Sequence, residues 1–263
     1  MENVIERAIK FVPRKIKKRL FGNIDYQIQL LKIIANQTIK MLTGMDFQGQ
    51  YDQDMFACLY FGCKKEGFYI DIGAHDGKSL SNTIIFENLG WKGICVEPLP
   101  DVFKILKQNR RCDCFNVAIS ETSDESLEFI RAKGVEMLSG LSNQMTEVHK
   151  KRIIKEKGEI EKIYVKTLTF TDLMSNYPEI RNVDFLSVDV EGAEISIIKT
   201  IDFNKYNFNL ITVENSGEIK GNAQKLINFM EEQGYKIYLN LGCDMMFIPK
   251  STDNHKVKKE NSH

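Results

Sequence analysis

The chain has 263 residues, 43% of them hydrophobic, enough to bury a full core as one generous α/β domain or one domain with an appendage. Its 36 basic and 36 acidic residues cancel, so no global charge argues for nucleic acid as a partner. No stretch approaches the roughly 18 apolar residues that span a bilayer and the N-terminus lacks a signal-peptide core, which reads as a cytoplasmic protein, at most peripheral to a membrane.

Residues 1–45 read as a helical extension. Segment 7–21, RAIKFVPRKIKKRLF, sets seven basic residues among Ile9, Phe11, Ile16, Leu20 and Phe21. That pattern suits a solvated helix over a domain edge, an oligomer contact or an anionic membrane surface. A second helical pattern runs from Tyr26 to Leu42 and stops at Gly44. Strand runs then follow at 67–72, 93–97, 114–119, 183–189 and 208–214, most of them apolar on both faces as in a buried parallel sheet. Helical patterns fit 79–89, 100–110, 192–200 and 219–233, the last ending at Gly234. Between them, 126–170 holds a strand near 126–131, a helix near 144–157 and a strand near 161–167. Runs 235–241 and 244–249 straddle Gly242-Cys243 as a hairpin would. Residues 46–250 are thus the main domain, and the polar, lysine-rich 251–263 a disordered tail.

This alternation predicts an α/β fold, a doubly wound, mostly parallel sheet closed by a C-terminal antiparallel β-hairpin. Ligands of such sheets bind at the carboxyl ends of the strands, which puts Asp71, Glu97, Asn116, Asp189 and Glu214 on one rim. Trp91 is expected to pack beneath the second strand, and Asp244 to be a turn residue. The six cysteines form no CxxC pair and read as thiols of a reducing compartment. His149, His255 and His263 read as isolated in polar surroundings, so no metal site of His and Cys is expected.

The run YIDIGAHDG, 69–77, breaks into a turn between Gly73 and Gly77. A dinucleotide wants GxGxxG there, with its pyrophosphate on the glycines and the next helix N-terminus. Asp71 before the turn and Asp76 inside it would repel a pyrophosphate by kilocalories in a low-dielectric crevice. S-adenosylmethionine carries a sulfonium and an ammonium instead, so the same carboxylates attract it. Glu97, 20 positions beyond Gly77, ends the second strand, where a carboxylate accepts both ribose hydroxyls. The plainer reading leaves Asp71 as a cap and the glycines as packing.

These residues resemble the FkbM family of S-adenosylmethionine-dependent methyltransferases over about 50–249. The likeness rests on GQYDQD (49–54), YIDIGAHDG (69–77), SNT (81–83), GWKGICVEP (90–98), NVAIS (116–120), SGLS (139–142), DFLSVDVEGAE (184–194) and ITVEN (211–215). It implies a class I, Rossmann-like methyltransferase fold with Asp71, Gly73, Ala74, His75 and Gly77 in the methionine-side loop. Glu97 with Pro98 would hold the ribose, and Asn116 and Ala118 would lie near the adenine. Asp54 and Ser81-Asn82-Thr83 would close the pocket, and Asp189 and Glu191 would stand at the methyl-transfer face. Sugars of surface polysaccharides or secondary metabolites are the acceptors the resemblance implies.

A hydroxyl acceptor needs its proton removed. Asp189 and Glu191 are the first candidates, with Glu214 and His75 behind them. Against this, Asp189 suits a cap of a helix starting near Glu191, and Glu191 and Glu194 suit its first turn. No metal ligand is assigned, although a divalent ion held by carboxylates stays open. The fourth strand ends D-V-E-G, without the N/D-P-P-aromatic motif that stacks a flipped base. A non-catalytic interaction or membrane-associated protein that keeps this fold is the alternative of another class, and an NAD-dependent oxidoreductase the third.

Overall fold

The structure, a computed structural model, describes Thr38, residues 44–215 and residues 221–251. The basic segment 7–21, most of the helical pattern 26–42, and all of the tail beyond Ser251 lie outside the described residues. Gln48 begins the unit that holds the sheets.

Helix α1 (Gln53–Tyr60) precedes β1 (Phe68–Ile72), which is buried from Tyr69 onward. Then come α2 (Ile84–Asn88), β2 (Lys92–Val96), α3 (Pro100–Asn109) and β3 (Asp113–Phe115). An inserted lobe follows, with β4 (Ala118–Ile119), β5 (Ser126–Lys133), β6 (Gly140–Leu141), α4 (Glu147–Lys155) and β7 (Glu159–Leu168). The chain returns through α5 (Phe170–Ser175), β8 (Asn182–Val188), α6 (Glu194–Thr200) and β9 (Asn207–Glu214). It closes with α7 (Asn222–Glu232), β10 (Tyr235–Leu241) and β11 (Asp244–Pro249).

The main sheet has the order β10-β11-β9-β8-β1-β2-β3. Strands β9, β8, β1, β2 and β3 pair in parallel, and β11 and β10 antiparallel to them. This is the expected doubly wound sheet with its closing hairpin. Ile70, Ile94, Leu186, Ile211 and Phe247, from five strands, are fully buried. Each contributes about 1.5–3 kcal/mol by leaving water. Strand order reverses between β1 and β8, and that switch point opens a crevice at their carboxyl ends. Trp91 packs as expected: it is buried, stacks on Phe86 at 4.5 Å, and its indole N–H donates to the Lys64 carbonyl.

Three sequence expectations change. The helix expected over 79–89 is only α2, because Leu80 takes a left-handed φ of +55° and Ser81 Oγ accepts from the Thr83 and Ile84 amides. The glycine turn therefore does not open directly into a helix, as a pyrophosphate site requires. The strand expected over 114–119 splits at Asn116, whose amide group donates to the Glu97 and Pro98 carbonyls. Its first half, β3, stays in the main sheet, and its second, β4, pairs with β7 in a four-stranded sheet of order β4-β7-β5-β6. Asp244 is not a turn residue either. It opens β11, buried, opposite Glu214.

The lobe has its own apolar cluster of Ile130, Ala132, Leu138, Met145 and Ile153. None of the six cysteines forms a disulfide, and Cys58 and Cys63 bring their sulfurs to 2.9 Å. Among the described residues, no helix is long and apolar enough to cross a membrane.

Phe185 lies in β8 against Phe86, ring centroids 5.3 Å apart. Urea unfolding is expected to show Phe185→Ala losing about 3–5 kcal/mol. Ile154→Ala, at a side chain on the lobe that is 63% exposed, should change stability by less than about 0.5 kcal/mol.

Candidate active site

The chain leaves β1 at Gly73, where φ is +90° and a Cβ would stand 1.7 Å from the Asp189 carbonyl oxygen. The two strand ends that flank the switch point thus touch backbone to backbone, and only glycine fits. The Gly73 and Ala74 amides both donate to the Val96 carbonyl at 3.0 Å. At His75 the left-handed backbone, φ +49°, turns the amide toward Glu97, whose Oε2 accepts it at 3.0 Å. Glu97 Oε1 accepts the Leu99 amide at 2.8 Å. Donors from two loops therefore fix this carboxylate at the end of β2. Burial pushes its pKa up to about 7 against the pull of those amides.

Asp71 is buried as well, but not as a bare charge. The Thr83 hydroxyl donates to its Oδ2 at 2.5 Å, and the fully buried guanidinium of Arg110 lies 4.0 Å away. Arg110 also pairs with Glu87 at 3.2 Å, donates to Thr83 Oγ1 and to the Gly77 carbonyl, and Tyr69 O–H adds a bond to Glu87. One cation here serves two carboxylates. Burial still raises the Asp71 pKa, with Arg110 opposing. Asp76 does not face the ligand space. It caps the turn by accepting from the Lys78 and Ser79 amides.

A cavity of about 630 Å³ opens along these strand ends. Among the described residues, seven carboxylates line it, Asp71, Glu97, Glu136, Glu156, Asp189, Glu191 and Glu214, against one cation, Arg152. Gly73, Ala74, His75, Ser81, Asn82, Pro98 and Ala118 line it too. Asp54, Gly77, Thr83 and Asn116 lie outside that lining. Asp54 is wholly buried and accepts from the Gln48 and Met55 amides, holding the entry to α1. A Cβ on Gly77 would strike Leu106 and Arg110, so its role is packing. Thr83 and Asn116 act behind the wall through the bonds given above.

At the other end, Asp189, Glu191 and Glu214 each offer an oxygen within 4.8 Å of the others. Asp189 is open to the cavity, and Glu214 is buried at the end of β9. Burial raises both pKa values, aided at Asp189 by Asp244 and at Glu214 by Asp189. Each carboxylate disfavours ionisation of the other. Asp244 lies behind them, hydrogen-bonded by the Gln53 amide group, its pKa pushed up to about 6 by burial. Hard oxygen donors in such a trio suit a divalent cation.

The helix-cap reading of Asp189 and Glu191 fails. Helix α6 starts at Glu194, whose own Oε1 accepts the Val190 and Gly192 amides. Asp189 and Glu191 are thereby left to the cavity, with Glu191 in a left-handed conformation, φ +56°. His75 stands apart from the trio, facing Asp76 at 3.8 Å, and burial lowers its pKa. His149 corrects the sequence reading: it is buried, with Nε2 2.8 Å from the Leu138 carbonyl and Nδ1 3.6 Å from Glu191. Sequence reasoning also passed over Arg110, Arg152 and Gln53. Only Arg110, a cation following the apolar stripe of α3, left any trace in the sequence, and a weak one.

The family model described as the methyltransferase FkbM domain matches residues 71–237. No curated protein matches the chain. Among solved structures, it is similar to precorrin-6y C5,15-methyltransferase from Geobacter metallireducens GS-15, at 12% identity and TM-score 0.39 over 74% of this chain and 84% of that one. A methyltransferase from Geobacter sulfurreducens is 10% identical, with TM-score 0.39 over 90% and 96%. An SAM-dependent methyltransferase from Bacteroides fragilis in complex with S-adenosyl-L-homocysteine is 10% identical, with TM-score 0.36 over 74% and 75%. Likenesses at this level carry no argument about the site.

Arg110→Met should strand Glu87 and Asp71 as buried charges. A loss of about 3–5 kcal/mol in urea unfolding is expected. A change below about 1 kcal/mol would mean that the two carboxylates find other compensation.

Proposed function

Because the chain belongs to the methyltransferase FkbM family, we propose that this S-adenosylmethionine-dependent methyltransferase is an O-methyltransferase. Its acceptor, on this reading, is a hydroxyl of a sugar, a glycan or a secondary metabolite, as in polysaccharide biosynthesis. The observation that carries the reading is the cavity's charge, seven carboxylates to one guanidinium among the described residues at the strand ends. Such a lining favours a cationic methyl donor and repels a pyrophosphate. It also disfavours phosphate-bearing acceptors, nucleic acid included. An amine acceptor would be held protonated beside Asp189, Glu191 and Glu214 and so made a poor nucleophile, whereas a neutral hydroxyl would gain a base.

The residues fit the cofactor. Gly73 lets the first loop lie against the Asp189 backbone, Glu97 presents a fixed carboxylate for a ribose, and Asp71 sits under that loop. When bound, S-adenosylmethionine supplies an electrophilic methyl group on sulfur. The chain's own share is then alignment and proton handling. Glu97 and the Gly73–His75 loop hold the nucleoside and methionine ends. Asp189, between β1 and β9, sets the floor where acceptor and donor meet, and the neighbouring carboxylates receive the acceptor's proton.

Incubation with methyl-labelled S-adenosylmethionine and a panel of monosaccharides, glycans and polyketide alcohols tests the acceptor class. Label is expected on oxygen, and label found only on nitrogen or RNA contradicts the proposal. Glu97→Ala should abolish S-adenosylhomocysteine binding, a loss of about 100-fold or more from two charge-assisted bonds. Unchanged affinity removes the ribose assignment. Two ribose hydroxyls donating to Glu97 favour its ionised form, so its pKa near 7 should fall on binding. Calorimetry in buffers of different ionisation heat should then read proton release at pH 6 and almost none at pH 8, with uptake at pH 6 as the contrary result. Asp189→Asn should keep cofactor affinity within about tenfold and lower turnover about 100-fold or more. Turnover at the wild-type rate would leave Asp189 without a part in the chemistry.

A further inference from the structure

Among the described residues, two aromatic side chains line the cavity, Tyr51 and Phe129. Phe129 belongs to the buried apolar core, whereas Tyr51 is half-buried and meets the hairpin between β10 and β11. A Cβ on Gly242 would stand 2.5, 2.6 and 2.6 Å from the Cγ, Cδ1 and Cδ2 atoms of the Tyr51 ring. A point equally far from three adjacent ring atoms lies on the axis through the ring centre. The hairpin backbone therefore packs flat on one face of Tyr51. What the ring shows to the cavity is its other face and its edge.

This ring is held in place. The Tyr51 amide donates to Gln53 Oε1 at 2.7 Å, and the Gln53 amide group donates in turn to Asp244. Asp244 directly follows the Gly242-Cys243 turn and stands opposite Glu214 where β11 pairs with β9. The loop before α1 and the turn that backs the ring are thus tied to one strand end. Glu214 is a member of the carboxylate trio, so Tyr51 stands at the acceptor end of the cavity. Burial first, then Cys243 and Asp244, raise the pKa of its phenol, and the Arg152 guanidinium opposes them from the same corner.

An aromatic face set among charged groups is a mixed surface, and a pyranose is mixed in the same way. Its axial C–H bonds form an apolar face, and its hydroxyls ring the rim. Laid on Tyr51, such a sugar covers the aromatic face and gives O–H donors to Glu156, Asp189 and Glu214. Arg152 pairs with Glu156 at 3.2 Å through Nε and keeps further N–H donors for hydroxyl oxygens. A planar aromatic alcohol would cover Tyr51 equally well but strip water from these groups without replacing its bonds, which binding penalises. We infer that Tyr51 is the stacking platform of an acceptor subsite and that the ring it carries is a pyranose. The inference rests on reading this cavity as a methyl-transfer site, and it narrows the acceptor from alcohols in general to a cyclic sugar.

Saturation-transfer NMR on the full chain with S-adenosylhomocysteine bound tests this with two probe sets. One is the methyl pyranosides of the common hexoses and 6-deoxyhexoses, the other phenolic alcohols of similar size. Pyranosides are expected to receive saturation, most strongly on the C–H protons of one ring face, and the phenols to receive little. Tyr51→Phe should bind the pyranosides as the wild type does, and Tyr51→Ala about tenfold more weakly, with S-adenosylhomocysteine affinity within about twofold in both. Equal pyranoside affinity in Tyr51→Ala, a preference for the phenols, or no pyranoside binding beside bound S-adenosylhomocysteine each overturns the inference. Nuclear Overhauser contacts from pyranose C–H protons to labelled tyrosine rings give a readout that needs no truncated side chain. They should vanish in Tyr51→Phe, and contacts that persist there place the sugar elsewhere. Failure of S-adenosylhomocysteine to bind the wild-type chain would instead strike the methyltransferase reading.

Discussion

Crowded negative charge is the constraint on which this molecule's site depends. Among the described residues, seven carboxylates face one cavity and Arg152 is the one cation in its lining. Coulomb repulsion at such spacing amounts to kilocalories, so protons, a cationic ligand or a metal ion must relieve it. Burial first, and neighbouring carboxylates after it, raise the pKa values of Asp189, Glu214 and Glu97 in the free chain. A sulfonium and an ammonium relieve the repulsion directly. Binding and proton release are then two faces of one electrostatic fact.

The fold creates that crowding cheaply. Parallel strands deliver their carboxyl ends to one edge, and the reversal between β1 and β8 leaves a gap there. Gly73 lets the first loop lie on the backbone of Asp189, which brings the β1 and β8 ends within reach of one ligand. Burying Asp71 beneath that loop would be costly, and Arg110 with Glu87 and Thr83 absorbs the cost from below. The acid that argued from sequence for a cationic donor is therefore partly neutralised in the structure. The negative potential of the cavity therefore comes from its whole lining more than from any single residue.

Much of this was legible in the sequence because it is local. The runs of β1, β2, β8 and β9 are apolar on both faces, and Gly73, Glu97, Asp189 and Glu214 sit at their ends by position alone. What escaped depends on distance along the chain. Arg110 meets Asp71 across 39 positions of sequence, and His149 meets Glu191 across 42. Nothing in the flanks of His149, polar as they are, reports that the lobe folds it inward. The strand at 114–119 was misjudged for a related reason. Asn116 alone interrupts its hydrophobic pattern, and the bonds of that side chain to the Glu97 and Pro98 carbonyls mark where the chain changes sheets. The glycine turn was read as opening a helix, and Leu80 and Ser81 delay that helix by a turn that no propensity marks.

Competition between donor classes puts the charge argument to its most direct trial. Purified protein would be titrated with S-adenosylmethionine and with NAD at equal concentrations and low salt, following heat or tryptophan fluorescence. Saturable binding of S-adenosylmethionine with no detectable binding of NAD is the expected result. Tight binding of NAD by a chain that ignores S-adenosylmethionine would contradict it.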